Sequence, residues 1–253
     1  IITFATSTGR TSALIDSVYD RILFYAKDRT KIKYRQLFIN KLFSDQDYPY
    51  RDEDGKQFSL GDLSSQHQSE TRSVPFEHNG KKYTPPVGRQ WSVDPTQGLE
   101  RLVRADRIYE FSPSQVRWKK YFEDFPVSKL TNTWQDTQMG AFYSQKIYAV
   151  QTNTIVIQRC LLMTTDPGDL ALDITCGSGT TAFVAEQWGR RWITCDTSRV
   201  AITLAKQRLM TAAYDYYQLN HPQEGVGSGF KYKTVPHITL KSIANNEPPG
   251  EET

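Results

Sequence analysis

The chain has 253 residues, 31 basic and 28 acidic, for a net charge of +3. That length buries a sizeable core as one large domain or two small ones, and the near balance of charge neither demands nor excludes nucleic acid. Cys160, Cys176 and Cys195 show no metal-ligand spacing and no disulfide framework, which argues for reduced thiols in a cytoplasmic protein with no metal; no apolar run reaches the length of a membrane span and no signal peptide is recognisable.

The sequence begins with Ile1 in mid-strand character, and reads as a piece of a longer protein. Residues 1–6 predict a strand, and 7–12 a polar Ser/Thr/Gly loop. Residues 19–27 have the aromatic and aliphatic bias of a buried strand. The Lys- and Arg-rich run 27–41 tracks phosphates in one reading and is a solvated face in the other. Residues 44–54 read as a loop, and the Ser/Gln-rich 61–71 as mobile chain. Asn79-Gly80 is a hairpin signal. Residues 96–105 predict a helix with Arg101, Arg104 and Arg107 near one face, and 107–111 and 115–121 predict strands. Basic residues interleaved with aromatics suit DNA, the cations on phosphates and the rings against bases. Arg89, Trp91, Arg101, Arg104, Arg107 and Lys119 are the candidates. The competing reading makes these aromatics the core of a small α+β module.

The run from Tyr148 to Met163 has an apolar helix face at Ile157, Cys160, Leu161 and Met163, although the β-branched 155–157 argue the other way. Residues 170–175 form a short apolar run typical of a buried parallel strand. A glycine loop follows, Cys176-Gly-Ser-Gly-Thr-Thr181, then a helix over 182–188 that Gly189 can end. Residues 192–195 predict a second buried strand with Asp196 at its carboxyl end, the edge where ligands bind in open α/β sheets. Ser198 caps a further helix with Val200, Ala201, Leu204, Ala205 and Leu209 on one face. After Met210 the pattern weakens. Tyr214, Tyr216 and Tyr217 extend the helix in one reading, 230–240 adds a strand, and 245–253 reads as a disordered tail.

Two cofactors fit the glycine loop. Gly177, Gly179 and Ala182 match the loose dinucleotide pattern, with Asp196 about 20 residues on. Asp173 argues against a pyrophosphate, which a carboxylate repels. The sulfonium and ammonium of S-adenosylmethionine are attracted instead. A βαβ unit that binds nothing is the third reading.

Leu172-Asp-Ile-Thr-Cys-Gly-Ser-Gly-Thr-Thr181 resembles the cofactor loop of amino-group DNA methyltransferases, which methylate adenine N6 or cytosine N4. Trp188-Gly-Arg-Arg-Trp-Ile-Thr-Cys-Asp-Thr-Ser-Arg-Val-Ala through Leu209 looks more specifically like adenine-specific methylases of the β motif order, akin to type III modification subunits. The resemblance is close from Tyr148 to Met210. It implies a doubly wound, Rossmann-like α/β fold with a partial sheet and an inserted α+β target-recognition region. It also implies S-adenosyl-L-methionine as cofactor and double-stranded DNA as partner, together with a restriction subunit or a missing upstream half. On this reading 1–30 ends the catalytic half of the sheet, 31–145 is the recognition region, 146–244 the cofactor half and 245–253 a tail. Asp173 and the loop Gly177, Ser178 and Gly179 would hold the methionine end, with Thr152 and Asn153 at a helix start beside it; Asp196 would bind the ribose hydroxyls, and Thr175, Cys176, Thr180, Thr181 and Thr197 complete the cofactor-binding set.

The family's catalytic motif, Asp/Asn/Ser-Pro-Pro-Tyr/Phe/Trp, accepts hydrogen bonds from the target amine and holds it in line with the methyl group. Thr84-Pro-Pro-Val87 and Glu247-Pro-Pro-Gly250 fail at both ends, so no catalytic residue is assigned. The β order places that motif upstream, hence the expectation of a fragment inactive on its own. RNA methylation and a DNA- and cofactor-binding module acting with a partner chain are the alternatives. C5 methylation is excluded, since no cysteine follows a proline.

Overall fold

The computed structural model describes residues 1–6, 14–138 and 151–252. The loop expected at 7–12 and residues 148–150 ahead of the cofactor half lie outside them. Contacts divide the chain into two compact units, 1–38 with 129–232 and 39–128 with 233–253. The division differs from the sequence reading at both ends. Residues 31–38 and 129–138 go with the glycine loop, while 233–252 go with the inserted region.

In the first unit Leu170–Asp173 and Arg191–Thr194 pair in parallel, Leu170 opposite Arg191 and Asp173 opposite Thr194. Helix Thr180–Gln187 connects them, and Gly189, at φ 69°, ends it as expected. Helix Arg199–Met210 follows, with the Ser198 hydroxyl accepting from the Ala201 N–H at 3.3 Å. The apolar 155–157 run resolves as helix Thr154–Thr164, capped by Asn153. One side of that helix packs through Leu161 and Ile157 against Ala171, Val184 and Ala185. Its Val156 and Met163 join Trp134, Ile2, Phe4 and Ile22 in a second cluster. These belong to a small sheet in which Ile2–Ala5 lies between Thr133–Trp134, parallel to it, and Tyr19–Ile22, antiparallel. The partial sheet and its packed helices make this an α/β Rossmann-like fold.

Several expectations are corrected here. The strand expected over 19–27 ends at Ile22, and Leu23, Phe24 and Tyr25 are exposed. The cofactor strand is shorter than 170–175, and it is not buried on both faces. Ala171 is covered, but Leu170, Leu172 and Ile174 are 51%, 65% and 69% exposed, and Ile193 beside them 55%. Side chains alternate across a strand, so one face of this sheet packs on helices and the other is bare among the described residues. The helix after Asp196 stops at Met210 and does not take in the tyrosines.

The second unit is built around the antiparallel order Ile108–Ser112, Gln115–Tyr121, Gln57–Asp62, Tyr50–Arg51. The segments expected as loop and mobile chain thus contribute strands. Gly61 explains the missed pairing. It sits opposite Trp118, and a Cβ there would lie 2.1 Å from the indole Nε1. A glycine inside a strand here marks a close approach rather than a loop. Asn79-Gly80 turns the hairpin between Phe76–His78 and Lys81–Tyr83, both residues at positive φ as a two-residue hairpin turn requires. Helix Gln97–Arg104 buries Leu99 and Leu102 against Leu63, Trp91, Trp118 and Ala244. The carboxyl end is ordered rather than a tail. Helix Leu240–Asn245 packs on Gln97–Arg104, and Gly250–Glu252 pairs with Val235–His237.

Among the described residues, no helix is long and apolar enough to cross a membrane.

Candidate functional site

The parallel register brings the carboxyl ends of the two cofactor-type strands together, and the glycine loop is stitched across them. The Cys195 N–H donates to the Asp173 carbonyl at 3.0 Å, and the Cys176 N–H to the Cys195 carbonyl at 2.9 Å. The Gly177 N–H donates to Asp196 Oδ2 at 2.9 Å, while Asp196 Oδ1 accepts from the Ser198 N–H at 2.8 Å. These backbone donors, Ser198 first and Gly177 next, hold the Asp196 carboxyl below the usual carboxylate range. Asp196 is therefore ionised and fixed in direction, with each oxygen keeping lone-pair capacity for a further donor.

Gly177 and Gly179 lie at φ 51° and 73°, the left-handed region that disfavours any side chain. Gly179 is also hemmed in, since a Cβ would sit 2.8 Å from the Ala205 methyl on helix Arg199–Met210. Arg208 on that helix donates to Thr180 Oγ1 at 3.0 Å and to the Ser178 carbonyl at 3.4 Å, with its guanidinium 4.5 Å from the centre of the Phe183 ring. No sequence motif announced Arg208. Its only signal is a basic residue in the last turn of a helix, which is common for dipole reasons alone.

The expected site residues now separate by what they touch. Asp173 accepts the Thr175 N–H at 3.0 Å and is only half-buried, so most of its carboxylate remains available. Thr175 and Thr197 are exposed, and Thr181 is half-buried. Ser178 and Thr180 are buried, and their hydroxyls lie 3.1 Å apart. Their side chains brace the loop rather than face outward. Cys176 is buried. Asn153 caps its helix at the Ile155 N–H, 3.0 Å, and its Nδ2 donates to the Thr137 carbonyl at 2.9 Å. The Thr137 hydroxyl in turn donates to the Ala5 carbonyl at 2.8 Å, and Arg159 grips Asp136 with two hydrogen bonds. Asn153 thus ties the helix start to the end of strand Ile2–Ala5. Thr152 beside it is exposed.

This donor set suits S-adenosylmethionine. Two carboxylates stand at one sheet edge, Asp173 able to face a cation and Asp196 oriented to accept from hydroxyls. Neither group favours a pyrophosphate.

In the second unit, four of the six candidates for DNA contact are engaged internally. Trp91 is 3% exposed, its indole N–H donating to the Val74 carbonyl at 2.9 Å. Arg107 makes two hydrogen bonds to Asp124, which also accepts the Tyr121 N–H. Lys119 is buried against Asp106 at 2.7 Å. Arg101 donates to the Ala244 carbonyl at 2.8 Å near the end of the last helix. Only Arg89 and Arg104 are exposed, and Arg104 lies 3.5 Å from Glu100.

A family model described as DNA methylase, of the N6/N4 methyltransferase type, matches residues 2–207. The chain belongs to that family, and its cofactor is S-adenosylmethionine. The type II methyltransferase M.EcaI of Enterobacter cloacae is 28% identical over 192 residues, covering 75% of this chain and 41% of the relative. The probable type III restriction-modification enzyme HindVI Mod subunit of Haemophilus influenzae is 34% identical over 89 residues, 34% of this chain and 12% of that protein. This chain therefore spans well under two thirds of the length of either relative. Among solved structures, the PvuII DNA methyltransferase, cytosine-N4-specific, is 20% identical and covers 52% of this chain and 46% of its own, with a TM-score of 0.28.

Proposed function

We propose that this chain is the cofactor-holding and target-recognising part of an S-adenosylmethionine-dependent DNA methyltransferase that modifies adenine N6, of the type III modification kind. The observation that supports it best is the double use of Asp196, which fixes the glycine loop through the Gly177 N–H and still offers lone pairs at the sheet edge. In this reading the ribose hydroxyls donate to Asp196 and the ammonium faces Asp173. Bound there, the cofactor supplies an electrophilic methyl group. The chain's own residues do the holding. Gly177 and Gly179 let the backbone approach, Arg208 and the Ser178–Thr180 pair keep the loop from collapsing, and Asn153 sets the neighbouring helix start. Thr152, Thr175, Thr181 and Thr197 serve as polar contacts in this reading.

The amine-facing residues of the target step are proposed to lie on chain beyond these 253 residues. The bare face of the parallel pair supports this. Parallel sheets are stable with both faces covered, and Leu170, Leu172, Ile174 and Ile193 lack that cover among the described residues. The test is transfer of labelled methyl groups to duplex DNA, with products identified by mass spectrometry. The 253-residue chain should give no product, and a longer polypeptide that includes it should give N6-methyladenine. Methylation by the short chain, or N4-methylcytosine from the longer one, would overturn the respective part.

A further inference from the structure

We infer that the loop 84–88 of the second unit is a rigid apolar wedge that enters the base stack of duplex DNA, with Val87 at its tip and Arg72 and Arg89 on the flanking phosphates. This rests on the DNA-methyltransferase reading and names the surface that it uses.

Val87 is 105% exposed, the most exposed of the large apolar residues described. A single exposed aliphatic residue is ordinary on a surface, but this one is displayed with unusual rigidity. Pro85 and Pro86 fix two backbone φ angles ahead of it. Gly88 follows at φ 77°, and the Arg89 N–H donates to the Pro86 carbonyl at 2.9 Å, closing a tight turn around Val87. The loop is rooted at both ends. Tyr83 is fully buried on one side and Trp91 on the other, and Arg89–Trp91 pairs with Ser64–Gln66. The immobilised loop loses little further entropy on insertion, which favours binding.

The flanks are cationic. Arg89 leads out of the loop. The segment carrying Arg72 lies against the same strand, the Trp91 N–H donating to the Arg72 carbonyl at 2.9 Å and the Ser73 hydroxyl to the Arg89 carbonyl at 3.1 Å. Both arginines are exposed, and among the described residues neither has a carboxylate within ion-pair distance. An apolar tip beside unpaired arginines matches the chemistry of proteins that part base steps with an aliphatic side chain while cations hold the backbone. It also relocates recognition within the same stretch of sequence: Trp91, the residue whose ring invites a stacking role, is core, and the neighbouring valine is the one presented.

The test uses the full 253-residue chain. Duplexes are recovered from a randomised pool by the wild-type protein, and binding is then measured by fluorescence anisotropy over a salt series. Val87→Ser should weaken binding about fivefold or more with an unchanged salt dependence, because no charge is lost. Arg89→Ala should weaken binding and lower the salt slope by about one. Lys241→Ala, an exposed cation on helix Leu240–Asn245 with no place in the proposed surface, is the control and should bind as wild type. Energy transfer between dyes at the duplex ends should report a bend that Val87→Ser reduces. Equal binding and equal bend for wild type and Val87→Ser overturn the wedge and leave the methyltransferase reading intact. Failure of the wild-type chain to enrich any duplex overturns both the wedge and DNA recognition by this unit, while leaving cofactor binding, which is measured separately, untouched.

Discussion

The unit with the glycine loop and the unit with the inserted sheet spend their polar residues differently. In the first, Asp173 and Asp196 stand at an open edge, and one face of the parallel pair leaves Leu172 and Ile174 more than 60% exposed. In the second, the charged groups close on one another. Asp124 takes Arg107, Asp106 takes Lys119, and Phe58, Tyr83, Leu99 and Leu102 are fully buried. Among the described residues, one unit keeps two carboxylates at an open edge and one sheet face exposed, whereas the other closes its charges internally and leaves its surface to a few displayed side chains. Charge in a sequence therefore means different things in the two. A carboxylate at a strand end near glycines stays at an open edge, and an arginine among aromatics is as often a brace.

The sharpest way to break this contrast is to open the closed unit. Asp124 is 6% exposed and serves Arg107 and the Tyr121 N–H together. Asp124→Ala leaves a buried guanidinium unpaired and should cost about 3–5 kcal/mol in urea unfolding. A cost under 1 kcal/mol would show that the pair is solvated and the unit not closed. Next in size is Gly179→Ala, which places a methyl 2.8 Å from Ala205 at positive φ. It should cost about 2–3 kcal/mol and abolish cofactor binding, while Ala205→Gly in the same chain restores part of the stability. Asn153→Ala removes a helix cap and should cost about 1 kcal/mol.

Acid sharpens the comparison further. The Arg159 hydrogen bond holds the Asp136 carboxyl below its ordinary value. A depressed folded-state pKa stabilises above the unfolded value, near 4, and that contribution is lost as pH falls through the folded value. Stability of the first unit should therefore decline below about pH 4, and Asp136→Asn should flatten that decline. The carboxylate is more than half exposed, so the effect should stay under about 1 kcal/mol. The smallest effect is expected at Leu172, where Leu172→Ser should change stability by no more than about 0.5 kcal/mol. A loss of 2 kcal/mol or more would mean the face is covered in solution.

How much of this was legible in the sequence follows the same division. The strand, glycine loop, helix, strand, helix order was readable because its signals are local: positive-φ glycines, Ser198 as a cap, Gly189 as a stop. The bareness of Leu170 and Leu172 was not, because an apolar run reports what a strand needs and not what covers it. In the second unit the Asn79-Gly80 turn was readable, being a two-residue code. Residues 61–71 were misread as mobile, because Gly61 and the serines resemble loop composition until Trp118 is laid over the glycine. The internal partners of Arg107, Lys119 and Trp91 went unseen for a related reason. Their partners Asp124, Asp106 and the Val74 carbonyl lie across turns or packed segments that composition does not reveal. Arg208 carried no signal beyond being a basic residue in the last turn of a helix.

The central claim is that Asp196 both fixes the glycine loop and binds the methyl donor. The most direct test is calorimetric titration of S-adenosylmethionine into the wild-type chain and into Asp196→Ala, with NAD as a control. The account predicts binding to the wild type that Asp196→Ala weakens by about 1.5–3 kcal/mol, the worth of hydrogen bonds to a charged group, and no binding of NAD. Equal affinity in the two proteins, or binding of NAD in place of S-adenosylmethionine, would contradict it.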